Sequence, residues 1–147
     1  MTNGVLINID VDDLERAVAF YRDGLGLEVG RRLEPDFVEL RHGDTCLYLL
    51  VKGAGSAAAP GGARRGYGRH WTPVHLDFVV DDIGAAIARA VAAGARLERE
   101  PQDEPYGRLA LLSDPFGHGF CLIEFNEKGY DALMPGASSP GDPPAHG

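Results

Sequence analysis

Residues 4–14, G-V-L-I-N-I-D-V-D-D-L, and residues 73–83, P-V-H-L-D-F-V-V-D-D-I, read as one pattern written twice. Val80 stands where Val11 stood, and the same offset of 69 positions carries Asp12 onto Asp81, Asp13 onto Asp82 and Ala17 onto Ala86. In the first copy, Val5, Ile7, Ile9 and Val11 alternate with Leu6, Asn8 and Asp10, as on the two faces of a strand. A helix is expected from Asp12, with Leu14, Ala17, Val18 and Tyr21 on one apolar stripe. Asp12 is expected to cap its first turn with Glu15 as capping-box partner, and Gly24 to supply the left-handed residue that stops it. Strands are expected next over 28–33, 37–41 and 45–52, with R-H-G-D as the turn between the last two. The second copy keeps this order. Ile83, Ala86, Ile87, Ala90 and Val91 form the helical stripe, Gly94 stops it, and strands are expected over 96–100, 108–113 and 120–125. The chain is therefore an α+β protein built as β-α-β-β-β twice.

Four segments follow: a first module over 1–52, a flexible linker over 53–71, a second module over 72–126, and a C-terminal extension over 127–147. The linker is rich in Gly, Ala, Ser and Pro, with Arg64, Arg65 and Arg69 interspersed. It has two readings: a plain connection between halves, or a flap over a site, since R-R-G-Y-G-R-H-W mixes cations with aromatics. The extension, dominated by Pro, Gly and Ser, is expected to be disordered after about residue 134.

The chain has 147 residues, 44% of them hydrophobic and 24% charged, enough for one compact core. No run approaches the roughly 20 apolar residues of a membrane span, and the N-terminus does not read as a signal peptide. A net charge of −8 argues against nucleic-acid binding and favours a cationic or amphipathic ligand. Cys46 and Cys121 lie in apolar runs without close spacing and read as reduced thiols of a cytoplasmic protein. Gly-rich phosphate loops, CxxC pairs and Ser-His-Asp arrangements are absent from the sequence.

The stretches D-L-E-R-A-V-A-F-Y-R-D-G-L-G-L, V-H-L-D-F-V-V-D-D and D-P-F-G-H-G-F-C-L-I-E-F resemble the vicinal oxygen chelate family of glyoxalases, extradiol dioxygenases and bleomycin-resistance proteins. The resemblance spans residues 4–126 and implies eight strands curled into a cleft. It implies no single activity, because the fold hosts several chemistries. Metal-dependent members hold a divalent cation through four inward residues on the first and fourth strands of each module. The matching positions here are Leu6, Tyr48, His75 and Cys121. Leu6 has no donor, Tyr48 ligates only when deprotonated, and neither fourth-strand position carries a carboxylate, so neither a divalent metal nor another cofactor is expected. Asn8 shares the face of Leu6 and Asp77 the face of His75, but either could replace a lost ligand only by a shift of about 6.6 Å along its strand, and neither is expected to do so.

Cys121 reads either as a buried structural thiol or as a nucleophile activated by His75. His75 reads as a cleft histidine, a hydrogen-bond partner or weak acid/base, or as a satisfied core residue. Trp71 is either a packing residue or a stacking wall for a planar ligand, and His42 and His118 are expected in exposed turns. The expected ligand-binding set is Leu6, Phe37, Tyr48, Trp71, His75 and Cys121, an apolar and aromatic cleft. The resemblance then implies a homodimeric binding module that sequesters a compound such as an antibiotic, with no nucleic-acid or membrane partner. The alternative is a family enzyme, a lyase, isomerase or dioxygenase, with a metal or with His75 as its catalytic residue.

Overall fold

The computed structural model describes residues 3–136; the tail from 137 onward, expected to be disordered, lies outside the described residues. The first half runs β1 (Ile7–Val11), α1 (Leu14–Ala19), a π-helical turn (Phe20–Gly24), β2 (Glu28–Glu34), β3 (Phe37–His42) and β4 (Thr45–Val51). The second runs β5 (Leu76–Val79), α2 (Ile83–Ala92), β6 (Arg96–Glu104), β7 (Gly107–Ser113) and β8 (Gly119–Phe125), followed by a 3-10 turn (Gly129–Leu133). The expected order therefore appears twice. Each half makes a four-stranded mixed sheet, β1-β4-β3-β2 and β5-β8-β7-β6. In both, the first strand pairs in parallel with the fourth, Ile7 opposite Leu47 and Leu76 opposite Phe120. The helix between strands one and two carries the chain across, which a tight hairpin cannot do for parallel neighbours.

The capping residues differ from expectation by one position. Asp13, not Asp12, is extended and accepts from the Arg16 amide at 3.1 Å, and Asp82 does the same for Ala85. Glu15 turns outward to Arg32 at 2.9 Å instead of closing a capping box. The left-handed residue after the first helix is Gly26 (φ 76°), not Gly24. Gly24 has another role: a Cβ there would stand 2.9 Å from Ala93 Cβ, so its bare backbone lets the π turn press against the end of α2. β6 runs four residues past the expected Glu100. It tolerates Pro101 because it is the edge of its sheet, where one amide faces no neighbour.

One core joins the halves. Leu14, Ala17, Val18, Phe20 and Tyr21 pack in a single cluster with Ile83 and Ala90 of α2, and with core-facing residues of both sheets such as Leu47 and Phe120. Each buried Leu or Phe contributes about 1.5–3 kcal/mol. Val91, expected on the apolar stripe of α2, is 45% exposed. The segment expected as a flexible linker contains a hairpin: Ala57 bridges Arg64, and the Arg65 guanidinium holds Asp10 at 2.8 Å. His118 is part-buried rather than exposed, its Nε2 2.7 Å from the Asp10 carbonyl oxygen, because the D-P-F-G-H-G turn packs against the first half. His42 is likewise half-buried, its ring edge-on to Phe78 at 6.2 Å. No helix among the described residues is long and apolar enough to cross a membrane.

One hydrogen bond crosses between the halves inside this core: the Tyr21 hydroxyl donates to Asp114 Oδ2 at 2.6 Å. Burial first, and the Asp114 charge second, raise the phenol well above its ordinary pKa, so it stays a donor. Tyr21→Phe leaves the carboxylate oxygen without that donor and is expected to cost roughly 1–3 kcal/mol in urea denaturation. A loss below about 0.5 kcal/mol, the range of a neutral surface change, would contradict this role.

Candidate functional site

Each sheet gives one face to the helices and keeps another that is free of them. On the first sheet, Asn8, Tyr48 and Glu39 stand side by side across β1, β4 and β3. Glu39 is only 2% exposed, yet it is charged. It accepts from Arg31 at 2.8 Å, Arg41 at 3.2 Å and the Tyr48 hydroxyl at 3.2 Å. These donors, Arg31 foremost, outweigh burial and hold its carboxyl at about 2. Phe37 packs on Tyr48 with ring centroids 5.5 Å apart. Burial, then Glu39, raises the Tyr48 phenol, so Tyr48 is a neutral donor already committed to Glu39.

The second sheet repeats the row with different chemistry. Asp77, Cys121, Leu111 and Arg99 stand side by side across β5, β8, β7 and β6. Their strand neighbours Phe78, Phe120 and Leu112 belong to the core, so this row faces away from the helices. His75 precedes β5, and its Nε2 lies 3.1 Å from Asp77 Oδ1. The sequence places the two on one face, about 6.6 Å apart along the strand. His75 sits outside the strand ladder, so its ring reaches along the strand to the carboxylate instead of keeping the spacing of a pleat. Donor atoms of His75, Asp77 and Cys121 all fall within 4.8 Å of one another. Burial, reinforced by the Asp77 charge, pushes the Cys121 thiol up to about 12. Cys121 is thus a protonated thiol at neutral pH, which argues against the nucleophile reading.

Beside this group lies a cleft of about 230 Å³, bordered by Trp71, His75, Leu111 and Cys121. Trp71 is 81% exposed at its rim, free to cover a flat ligand. His75 also borders a second cavity of about 340 Å³ between the halves, shared with Asn8, His70 and His118. Farther along the same face, Tyr106, Phe125 and Tyr130 form an edge-to-face cluster, Phe125 and Tyr130 at 4.9 Å. Of the six residues expected in one cleft, Trp71, His75 and Cys121 border it together. Leu6, Phe37 and Tyr48 are not in its lining: Leu6 precedes β1 and is 68% exposed, while Phe37 and Tyr48 belong to the first sheet. Arg99 and Tyr106, which no motif marks, also lie toward this face.

The four positions that would hold a divalent cation in metal-dependent relatives do not fit one here. Leu6 has no donor atom and Tyr48 is bound to Glu39, so the first half supplies nothing. His75, Asp77 and Cys121 remain, a nitrogen, an oxygen and a protonated sulfur on one sheet. A hard cation demands more oxygens than this.

Residues 6–123 match the family described as Glyoxalase-like domain. The chain is similar to the anthracycline biosynthesis protein DauV of Streptomyces sp. (strain C5), 38% identical over 135 residues that cover 90% of this chain and 44% of that one. It is also similar to the ethylmalonyl-CoA/methylmalonyl-CoA epimerase of Cereibacter sphaeroides, 34% identical, with 82% of this chain and 94% of that one covered. Among solved structures, TnmS3, an antibiotic binding protein from Streptomyces sp. CB03234, shares the fold at a TM-score of 0.59 and 22% identity, over 86% of this chain and 98% of that one. The chain spans less than half the length of DauV.

The Glu39 cluster makes stability depend on pH. Its carboxyl lies at about 2 folded against an ordinary 4.5, so its contribution is complete above the ordinary value and is lost as pH falls through the folded one. Urea denaturation of the native protein should therefore show stability falling between about pH 5 and pH 2. Glu39→Gln should be less stable at pH 7 and should fall less steeply across that window. Parallel curves would contradict the assignment.

Proposed function

The chain belongs to the glyoxalase-like domain family of the vicinal oxygen chelate superfamily, and from that membership we propose that it binds and sequesters an amphipathic or aromatic small molecule, such as an antibiotic, without a metal. The observation that carries the reading is the cleft itself: an exposed indole and an apolar floor beside a few polar groups, as small-molecule sites are commonly built. DauV and TnmS3, by their names, serve anthracycline biosynthesis and antibiotic binding, which supports this class of ligand. The cleft's volume of about 230 Å³ falls short of the roughly 300–1,000 Å³ of sites that enclose drug-sized compounds. A homodimer supplies the remainder: the first sheet of one copy, with Phe37 and Tyr48, faces the second sheet of the other. That arrangement restores the aromatic set the sequence led us to expect around one ligand. The unpaired Cys46 and Cys121 suit the cytoplasm as the place of action.

A second reading is an enzyme using His75. The contact of His75 with Asp77 favours it, since a carboxylate orients an imidazole for proton transfer, and one similar protein is named an epimerase. Titration separates the two. Under sequestration, Trp71→Ala and Tyr48→Ala should each weaken binding by about 1 kcal/mol beyond lost area, and His75→Ala by about 1 kcal/mol for one neutral hydrogen bond. Conversion of a bound compound that disappears in His75→Ala while affinity holds would establish catalysis instead.

Protein purified without chelator should carry well under one equivalent of any transition metal. A stoichiometric metal in elemental analysis, lost on His75→Ala, would overturn the metal-free part of the proposal.

A further inference from the structure

Among the described residues, Arg99 Nε is the one buried side-chain nitrogen or oxygen without a hydrogen-bond partner. The guanidinium enters no ion pair, although acids lie close in sequence: Glu98 is taken by Arg69 at 2.7 Å, and Asp103 by Arg108 at 3.3 Å. The side chain as a whole is half-buried, but its Nε is cut off from solvent, and a donor left unpaired there is costly, so proteins rarely keep one without use for it. The backbone is also irregular here, as it is around Arg32 in the matching edge strand of the first sheet. The ladder between β6 and β7 slips register on both sides of Arg99, between Leu97 and Arg99 and again before Gln102. Such irregularities re-aim side chains and gather beside functional sites. Here they flank the residue that ends the row Asp77, Cys121, Leu111, Arg99 on the face away from the helices.

We propose that Arg99 is an anion anchor for the ligand of this face, and that the compound held there carries an oxyanion, a carboxylate or an ionised phenol, on a flat apolar body. The proposal rests on the binding function proposed above and specifies its ligand class. Leu111 and the protonated Cys121 give the body an apolar floor, and Asp77 at the far end of the row repels the anion. The two charges therefore fix one orientation, with the oxyanion toward β6. The net charge of −8 favours cations at long range. A contact with Arg99 nevertheless wins locally, because exposed charges farther away than about 8 Å are largely screened at physiological salt.

The test uses isothermal calorimetry of the full chain with 2-naphthoate, neutral 2-naphthamide and 2-naphthylmethylammonium. The native protein should bind 2-naphthoate at least tenfold more tightly than 2-naphthamide. Arg99→Met should abolish that preference, and a far-UV circular dichroism spectrum like that of the native protein shows that the variant is folded. Arg99→Lys should retain part of the preference, and Asp77→Asn should strengthen 2-naphthoate binding. Equal affinity of the acid and the amide for the native protein, tighter binding of the ammonium, or a preference that survives Arg99→Met would each overturn the anchor while leaving sequestration standing. Binding of none of the three would remove both.

Discussion

The hydrogen bond from Tyr21 to Asp114 is the constraint on which the rest of the molecule hangs. It ties the π turn after α1 to the turn between β7 and β8, 93 residues away. Asp114 does not serve Tyr21 alone: its other oxygen accepts from the amides of Phe116 at 2.8 Å and His118 at 2.9 Å. Phe116 is thereby held fully buried, and His118 is held where its ring meets the Asp10 carbonyl at the end of β1. Immediately after this turn β8 begins and carries Cys121 into the face beside Asp77. Core, connection and cleft are thus positioned from one buried carboxylate.

The two sheets show how equal topology can carry unequal chemistry. The rows Asn8, Tyr48, Glu39 and Asp77, Cys121, Leu111 occupy matching places in the two halves. In the first, a carboxylate on the third strand draws in two arginines and a phenol, and the face closes over its own ion pairs. In the second, the carboxylate sits on the first strand, the third-strand position is leucine, and Asp77 meets only the half-exposed His75 and a thiol. A self-satisfied polar cluster gives stability and leaves the rings of Phe37 and Tyr48 as what it offers a ligand. A face with unfinished polar groups over an apolar floor gives recognition at some expense of stability.

The repeat was legible because strands and helices alternate their apolar residues at periods the backbone imposes, and 69 positions of offset kept them in step. Features that depend on one backbone torsion were less so. Asp12 and Asp13 are chemically the same cap, and what sets Asp13 apart is its place directly before Leu14, with its side chain on the Arg16 amide. Gly24 and Gly26 look equally able to end a helix until packing against Ala93 claims the first. At the site, positional matching brought Trp71, His75 and Cys121 to one cleft. It set Asp77 aside as a partner of that group because spacing along an ideal strand does not describe a side chain on the residue before the strand starts. It missed Arg99 because R-L-E-R-E alternates charge on an edge strand, and nothing in that pattern reveals two register slips. Glu39 was invisible for the complementary reason: a lone Glu between apolar residues does not announce which arginines will fold over it.

The hairpin between the halves has a consequence for how the protein could be divided. Its strands are clasped by the bond from the Ala58 amide to the Ala63 carbonyl and by the grip of Arg65 on Asp10, while Ala59 to Gly62 at its tip are exposed. Both sheets, the shared core and the Tyr21 to Asp114 bond lie outside that tip. Continuity of the chain there acts as a tether, holding the halves at an effective concentration on the order of millimolar. The tip is accordingly the natural seam for a nick, an inserted domain or a split reporter, in which two separately made fragments report on each other by rebuilding one interior.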